Sequence, residues 1–400
     1  MVAHSLTIGG STCERVMNCP GSVAASKLMP PQQVSEFAEI GSMLHGCMEL
    51  ILNGEKTPEQ LLEDNYSSHG HTLTKEQVNT LIKPALAAFD QLQEKFGELE
   101  FEIEVRVRYS GIDAFGTVDI LAHTEKYTFI IDWKFGAGIK VVGGEDNYQL
   151  KFYASAAMQT EGVSDMFDPA KPVVLAIIQP TMDEPLTFGL IGHNALTAFG
   201  EDVRLAVKRV EEGDETLNSG KWCRWCPAAA MCPAKITQAQ GLLRKQPDPI
   251  MSPDELGSLV QQASDLDDWI KAVRKFAYAE LENGHEVTGF KLVQRRATRS
   301  WRDEEDTKDA LRIAGVPDDE FMKTQLNSPA QIEKVCKKHG KKLQDLGEDL
   351  VVSLSSGTSM VPAEDRRSAV NRVKGDGFLN LPSNDNEPDD GFGFKKKGVM

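Results

Sequence analysis

Asp119, Asp132 and Lys134 are the residues of this chain whose types and spacing most directly suggest chemistry. Asp132-Trp133-Lys134 closes the β-rich run YTFIIDWK at residues 127–134, and Asp119 lies in the strand pattern GTVDILAH at residues 116–123. Alternation along a strand puts Ile130, Asp132 and Lys134 on one face, so an acid and an amine can converge on one centre. With Asp119 on the neighbouring strand, two carboxylates can bridge a divalent cation, and hard oxygen ligands suit Mg2+ or Mn2+. Such an ion activates water and stabilises charge on a phosphate, while a lysine positions the nucleophile or neutralises the transition state. His45 and Glu49 stand four apart on a helical stretch and share a face. Taken singly, these features have plainer readings: a lone D-x-K is usually a solvated strand end, and a His–Glu pair a surface pair or a packing histidine. Their order is what informs: Gly41-x-x-x-His45, Gly116-x-x-Asp119, Asp132-x-Lys134, then Gln149-x-x-x-Tyr153.

The elements that must position these residues follow from periodicity. Residues 35–53 carry Phe37, Ile40, Leu44, Met48 and Ile51 at three- and four-residue spacing, which predicts an amphipathic helix. A second helix is expected over residues 75–96. Period-two alternation over residues 101–109 (FEIEVRVRY) and the runs at 116–123 and 127–134 predict three consecutive strands. A helix at 147–159, a buried strand at 173–179 (VVLAIIQ) and a helix at 195–212 complete the order. The expected fold class is α/β, a mixed sheet covered by helices. Residues 1–240 form this first region. Residues 250–370 read as mainly helical with a short strand-like interruption, and residues 379–400 as a disordered tail rich in Gly, Pro, Asn and Asp.

The 400 residues suffice for two or three domains, and 40% hydrophobic with 26% charged residues excludes a mainly disordered or fibrous chain. The longest apolar runs, such as 172–178, are strand-sized, so no membrane partner is expected. The first residues hold no apolar signal-peptide core, which predicts a cytoplasmic protein. The formal charge of −16 argues against non-specific coating of nucleic acid, though it leaves room for a local basic groove. One candidate is VTGFKLVQRRATRSWR at 287–302, where Lys291, Arg295, Arg296, Arg299 and Arg302 occur without an acid and Phe290 and Trp301 are interleaved. Such a run can grip a phosphate backbone and stack a base. The plainer reading is a solvated basic strand paired with Asp303–Asp306.

The series G-x-x-x-H, G-T-x-D, D-x-K and Q-x-x-x-Y resembles the RecB-like branch of the PD-(D/E)XK nuclease superfamily, which includes the Cas4-type exonucleases. The strings CPGS, AEIGSMLHG, DWKFGAG and NYQLKFYA look closer still to the phage and prophage family DUF2800, and residues 289–302 and 361–367 look like that family's C-terminal part. The resemblance implies a restriction-endonuclease-like core. It makes His45, Asp119 and Asp132 metal ligands, Lys134 the catalytic lysine, and Gln149 and Tyr153 DNA-facing supports. It implies a metal-dependent DNA nuclease, an exonuclease of phage replication or recombination acting in the bacterial host cytoplasm. DNA is then the partner, with a phage single-strand-binding or annealing protein as a companion. The rival reading is a catalytically weak DNA-binding or structural subunit of a recombination complex.

Six of the seven cysteines fall in the first region, a usage that suggests metal ligands more than disulfides in a cytosolic chain. KWCRWCPAAAMCP at 221–233 places Cys223, Cys226 and Cys232 as C-x2-C-x5-C-P. Three thiolates leave one ligand missing for either a zinc ion or a cubane cluster. Cys19 is the best donor and Cys13 its rival, whereas Cys47 and Cys336 look like ordinary free thiols. In the resembled family one early and three late cysteines hold a [4Fe–4S] cluster that staples the two ends of the domain. Zn2+ in an interaction protein is the alternative.

Overall fold

A computed structural model of the protein describes residues 5, 7–30, 34–136, 140–244, 252–294, 298–301, 303–322, 326–346, 350–354 and 358–362. The tail expected to be disordered lies outside them. The chain divides into two compact units, one running to Ile270 and one beginning at Lys271. Composition sets the two regions at residues 1–240 and 250–370. The division falls later, inside a long helix whose first half belongs to the first unit, where Asp268 pairs with Arg224 at 3.5 Å. Among the described residues no helix is long and apolar enough to cross a membrane.

The first unit opens with two short helices, α1 (Cys13–Asn18) and α2 (Ser22–Lys27). These are too short for periodicity to reveal. Helix α3 (Glu36–Leu52) begins where Ser35 accepts the Ala38 N–H and buries Met43, Leu44, Cys47 and Met48 along one stripe. The helix expected over 75–96 forms with an interruption: Lys75–Gln77, a π turn at Val78–Ile82, then α4 (Lys83–Phe96). The π turn lies directly ahead of Pro84, whose missing N–H cannot continue an α-helical ladder. Helices α5 (Tyr148–Ala157), α6 (His193–Glu211), α7 (Pro233–Arg244) and α8 (Pro253–Glu282) follow later in the chain.

Five strands form one sheet in the order β1 (Glu100–Arg108), β2 (Phe115–His123), β3 (Thr128–Trp133), β4 (Val173–Ile178) and β5 (Leu186–Ile191). All neighbours are antiparallel except β3 and β4. The edge strand β5 escapes the sequence reading because LTFGLI neither alternates cleanly nor forms a fully apolar run. Strands β3 and β4 are buried throughout, as a sheet covered on both faces requires. One cover consists of α5 and α6 with the N-terminal segment, through Ile8, Val16, Phe152, Leu196 and Val203. The other consists of α3 and α4, through Met43, Leu44, Phe89 and Leu92. The result is a three-layer arrangement of helices, mixed sheet and helices.

The second unit, expected to be mainly helical with a short strand-like interruption, contains two antiparallel strand pairs among its described residues. Phe290–Gln294 pairs with Thr358–Pro362, and Thr298–Trp301 pairs with Val351–Leu354. Their partners lie some fifty to seventy residues apart in the chain, so no local pattern announces them. A separate small core gathers Leu311, Phe321, Ile332 and Cys336.

Candidate metal centre and cysteine pocket

Strands β2 and β3 pair from His123↔Thr128 to Ile120↔Ile131, and the ladder stops there. Asp119 and Asp132 come next on the two strands, at the mouth of this fork. Instead of a ladder bond, the Trp133 N–H donates to Asp119 Oδ2 at 2.7 Å. Strand β1 is irregular at the same level. Its register brackets Glu104 and Asp119 between Ile103↔Ile120 and Val105↔Val118, and Glu104 has a left-handed φ of 53°. A non-glycine residue adopts that conformation at a cost of about 1 kcal/mol or more. The consequence shows in the packing. Phe101 lies on the α3–α4 side and Val105 on the α5–α6 side, although equal parity in a regular strand would put them on one face. Val118 and Ile120 of β2 change sides in the same way. This switch brings Glu104 and Asp119 together. Ligand atoms of His45, Glu104 and Asp119 lie within 4.8 Å of one another.

Each remaining member comes from a different element. His45 on α3 reaches Asp119 Oδ1 with Nδ1 at 3.4 Å. Lys134, just past β3, is fixed by its N–H bond to the Ile178 carbonyl of β4 at 2.9 Å. Its ammonium lies 2.5 Å from Asp132 Oδ2, an ion pair at the end of β3. Gln149 of α5 ties the pair together, accepting from Lys134 Nζ at 3.1 Å and donating to Asp132 Oδ1 at 2.9 Å. It also donates to the Tyr153 hydroxyl at 3.1 Å. Tyr153 itself is buried in a slot that two glycines leave open. A Cβ at Gly10 or Gly116 would come within 2.5 or 2.7 Å of its ring. The glycine of Gly116-x-x-Asp119 therefore makes room for the tyrosine of Gln149-x-x-x-Tyr153.

Electrostatics mark the cluster. Burial pushes Asp132 up, with Asp119 adding repulsion, and the Lys134 ammonium only partly offsets it, leaving it at about 6. Burial likewise opposes ionisation of Asp119, yet His45 and Lys134 hold its carboxyl below the ordinary range. Burial alone would lower His45; the carboxylates of Asp119, Asp132 and Glu104 outweigh it and raise the imidazole to about 9. Glu104, whose side chain still meets solvent, is raised to about 7 by partial burial and by Asp119 beside it. Several acids forced together with one imidazole and one ammonium can hold a divalent cation. Glu104 is the member that sequence reasoning missed, because Glu100, Glu102 and Glu104 alternate like a solvated face; only the register opposite Asp119 identifies it. Glu49, by contrast, is exposed and does not pair with His45.

The cysteines resolve into two groups. Cys19, Cys223, Cys226 and Cys232 line one small pocket with Arg15, Asn218 and Trp222. Backbone N–H groups of Asn218 and Gly220 donate to the sulfurs of Cys19 and Cys223 at 3.3 and 3.4 Å. Cys13, the rival fourth ligand, belongs to the apolar core instead, with its sulfur 3.4 Å from Met17 Sδ. Burial pushes the Cys47 thiol up to about 12 and raises Cys336 as well, as inert packing thiols require.

Of the basic run, Lys291 lies on a described strand, while Arg295, Arg296 and Arg302 and the side chain of Arg299 lie outside the described residues. Trp301 packs against the small core and donates its indole N–H to the Asn327 carbonyl at 2.9 Å, so its ring is used in folding. Asp303 caps the helix Glu304–Ile313 through the Glu305 and Asp306 N–H groups.

Comparison with known proteins adds two findings. The crystal structure of SSO0001 is similar at 16% identity over 59% of this chain and 90% of that one, with a TM-score of 0.27. The model of the family described as "Protein of unknown function (DUF2800)" matches residues 4–368, and the chain belongs to that family.

Proposed function

We propose that the chain is a metal-dependent deoxyribonuclease with a PD-(D/E)XK core of the RecB-like kind, working as an exonuclease in phage replication or recombination. The observation that carries this reading is the convergence of His45, Asp119, Asp132 and Lys134 at the fork of β2 and β3, from four separate positions in the fold. His45, Glu104 and Asp119 offer, within 4.8 Å of one another, the nitrogen and carboxylate donors that Mg2+ or Mn2+ takes, and Asp132 stands beside them with its Oδ2 against the Lys134 ammonium. When bound, such an ion supplies Lewis acidity and an acidified water. Lys134 supplies positive charge beside the scissile phosphate. Gln149 holds the ammonium and the Asp132 carboxylate in one geometry, and Tyr153 fixes Gln149. Preorganised charge of this kind is where the rate comes from, because it need not reorient as negative charge develops.

The four-cysteine pocket fits a thiolate-bound centre, with backbone donors already aimed at two sulfurs. We assign it a structural [4Fe–4S] cluster joining Cys19 to the segment two hundred residues later. The test is anaerobic purification followed by incubation with end-labelled single- and double-stranded DNA and Mg2+ or Mn2+. Stepwise release of mononucleotides supports the reading. DNA binding without cleavage under all these conditions would indicate a DNA-binding subunit instead.

A further inference from the structure

Outside these two sites, the first unit holds a cleft between α7 and the first half of α8. Its volume is about 400 Å³, within the range of small-molecule sites. Lys235, Gln238, Ala239, Gly241 and Leu242 form one wall; Gln262, Asp265, Leu266 and Trp269 form the other.

Three features need a ligand of particular chemistry. Lys235 is only 6% exposed, and its ammonium has a neutral partner, the Gln238 side-chain oxygen at 2.9 Å. Among the described residues no carboxylate lies within ion-pairing distance of it. Its charge also acts on the Cys223 thiol of the neighbouring cysteine pocket, and a buried ammonium with no carboxylate partner favours an anion in the cleft. Next, the Trp269 indole nitrogen is buried and lacks any acceptor among the described residues. Buried N–H groups are rarely left so, and this one lines the same cleft. Finally, Asp265 lines the opposite wall from Lys235 without pairing with it. Its oxygens can accept from N–H donors at the far end of a ligand.

The remaining lining, Ala239, Gly241, Leu242, Leu266 and the Trp269 ring, is apolar. The volume exceeds what an inorganic anion fills. We propose that this cleft binds a nucleoside monophosphate. Its phosphate meets Lys235 and the Trp269 N–H, its base lies against the apolar lining, and base N–H groups reach Asp265. Guanine, with adjacent N–H donors, suits a carboxylate best. The proposal does not rest on the nuclease reading, and the site is separate from the fork of β2 and β3.

The test is calorimetry on the full chain in EDTA, which suppresses metal-dependent binding elsewhere. The probes are dGMP, deoxyguanosine and inorganic phosphate. One dGMP should bind per chain, with deoxyguanosine and phosphate each weaker by about tenfold or more. Lys235→Met should weaken dGMP by about tenfold and Trp269→Phe, which keeps the ring and removes the donor, by several-fold. Lys235→Arg should restore binding. Should Lys235→Met fail to fold, Trp269→Phe and Asp265→Asn carry the test. No saturable dGMP binding, phosphate binding as tight as dGMP, or dGMP affinity unchanged in the folded variants would overturn the proposal.

Discussion

Glu104 and His45 bind their protons more tightly in the folded chain than an unfolded chain would, Glu104 at about 7 and His45 at about 9. For both, the native state holds the extra proton, so stability falls as pH rises. For Glu104, stability is lost from its ordinary value near 4.5 up to about 7. For His45, it is present below 6.5 and lost through about 9. In EDTA the melting temperature should therefore decline steadily between about pH 5 and pH 9, and Glu104→Gln should flatten the lower part of that decline. A melting temperature constant over this range would contradict the crowding of acids described here. Asp119, Asp132, Lys134 and His45 could be picked out from the sequence because each sits in a short motif whose spacing survives folding. Glu104 could not, since its role arises from a change of face that β1 and β2 make together.

At the scale of elements, the glycines at positions 10 and 116 and the helix α5 act as one unit. They seat the Tyr153 ring, which seats Gln149, which holds Asp132 and Lys134. Gly116→Ala adds a methyl that meets a buried ring, an overpacking that costs about 1–3 kcal/mol. Urea unfolding should show that loss, and cleavage should fall further than stability explains because Gln149 moves. Unfolding free energy equal to wild type would mean the slot has spare room. Most element boundaries were legible, as with α3, whose Ser35 cap and apolar stripe are both local signals. The strand pairs of the second unit were not, because Trp301 and Val351 are adjacent only after folding.

For the molecule as a whole, the proposed cluster would close a loop from Cys19 to Cys223, and cross-linking so long a loop would limit the unfolded chain strongly. Three cysteines within ten residues made the site visible in sequence, with Cys19 preferred to Cys13 as the fourth member; the fold adds that Cys19 lines the pocket while Cys13 is buried among apolar neighbours. Cys19→Ser, Cys226→Ser and Cys232→Ser should each yield bleached protein of lower melting temperature. Cys13→Ser and Cys47→Ser should keep the visible spectrum. Metal analysis of the wild type should find about four irons and four sulfides per chain. One zinc and no visible absorption would replace the cluster with a structural zinc site.

The central claim is that the cluster at the fork of β2 and β3 performs DNA hydrolysis. Its most direct test is single-turnover cleavage of end-labelled DNA with Mg2+ or Mn2+ by the wild type, Asp119→Ala and Lys134→Ala, each first shown to be folded and to keep its visible spectrum. The account predicts metal-dependent cleavage by the wild type and a loss of several orders of magnitude in both variants, because their side chains arrange charge at the phosphate. Cleavage by either variant at the wild-type rate would contradict it.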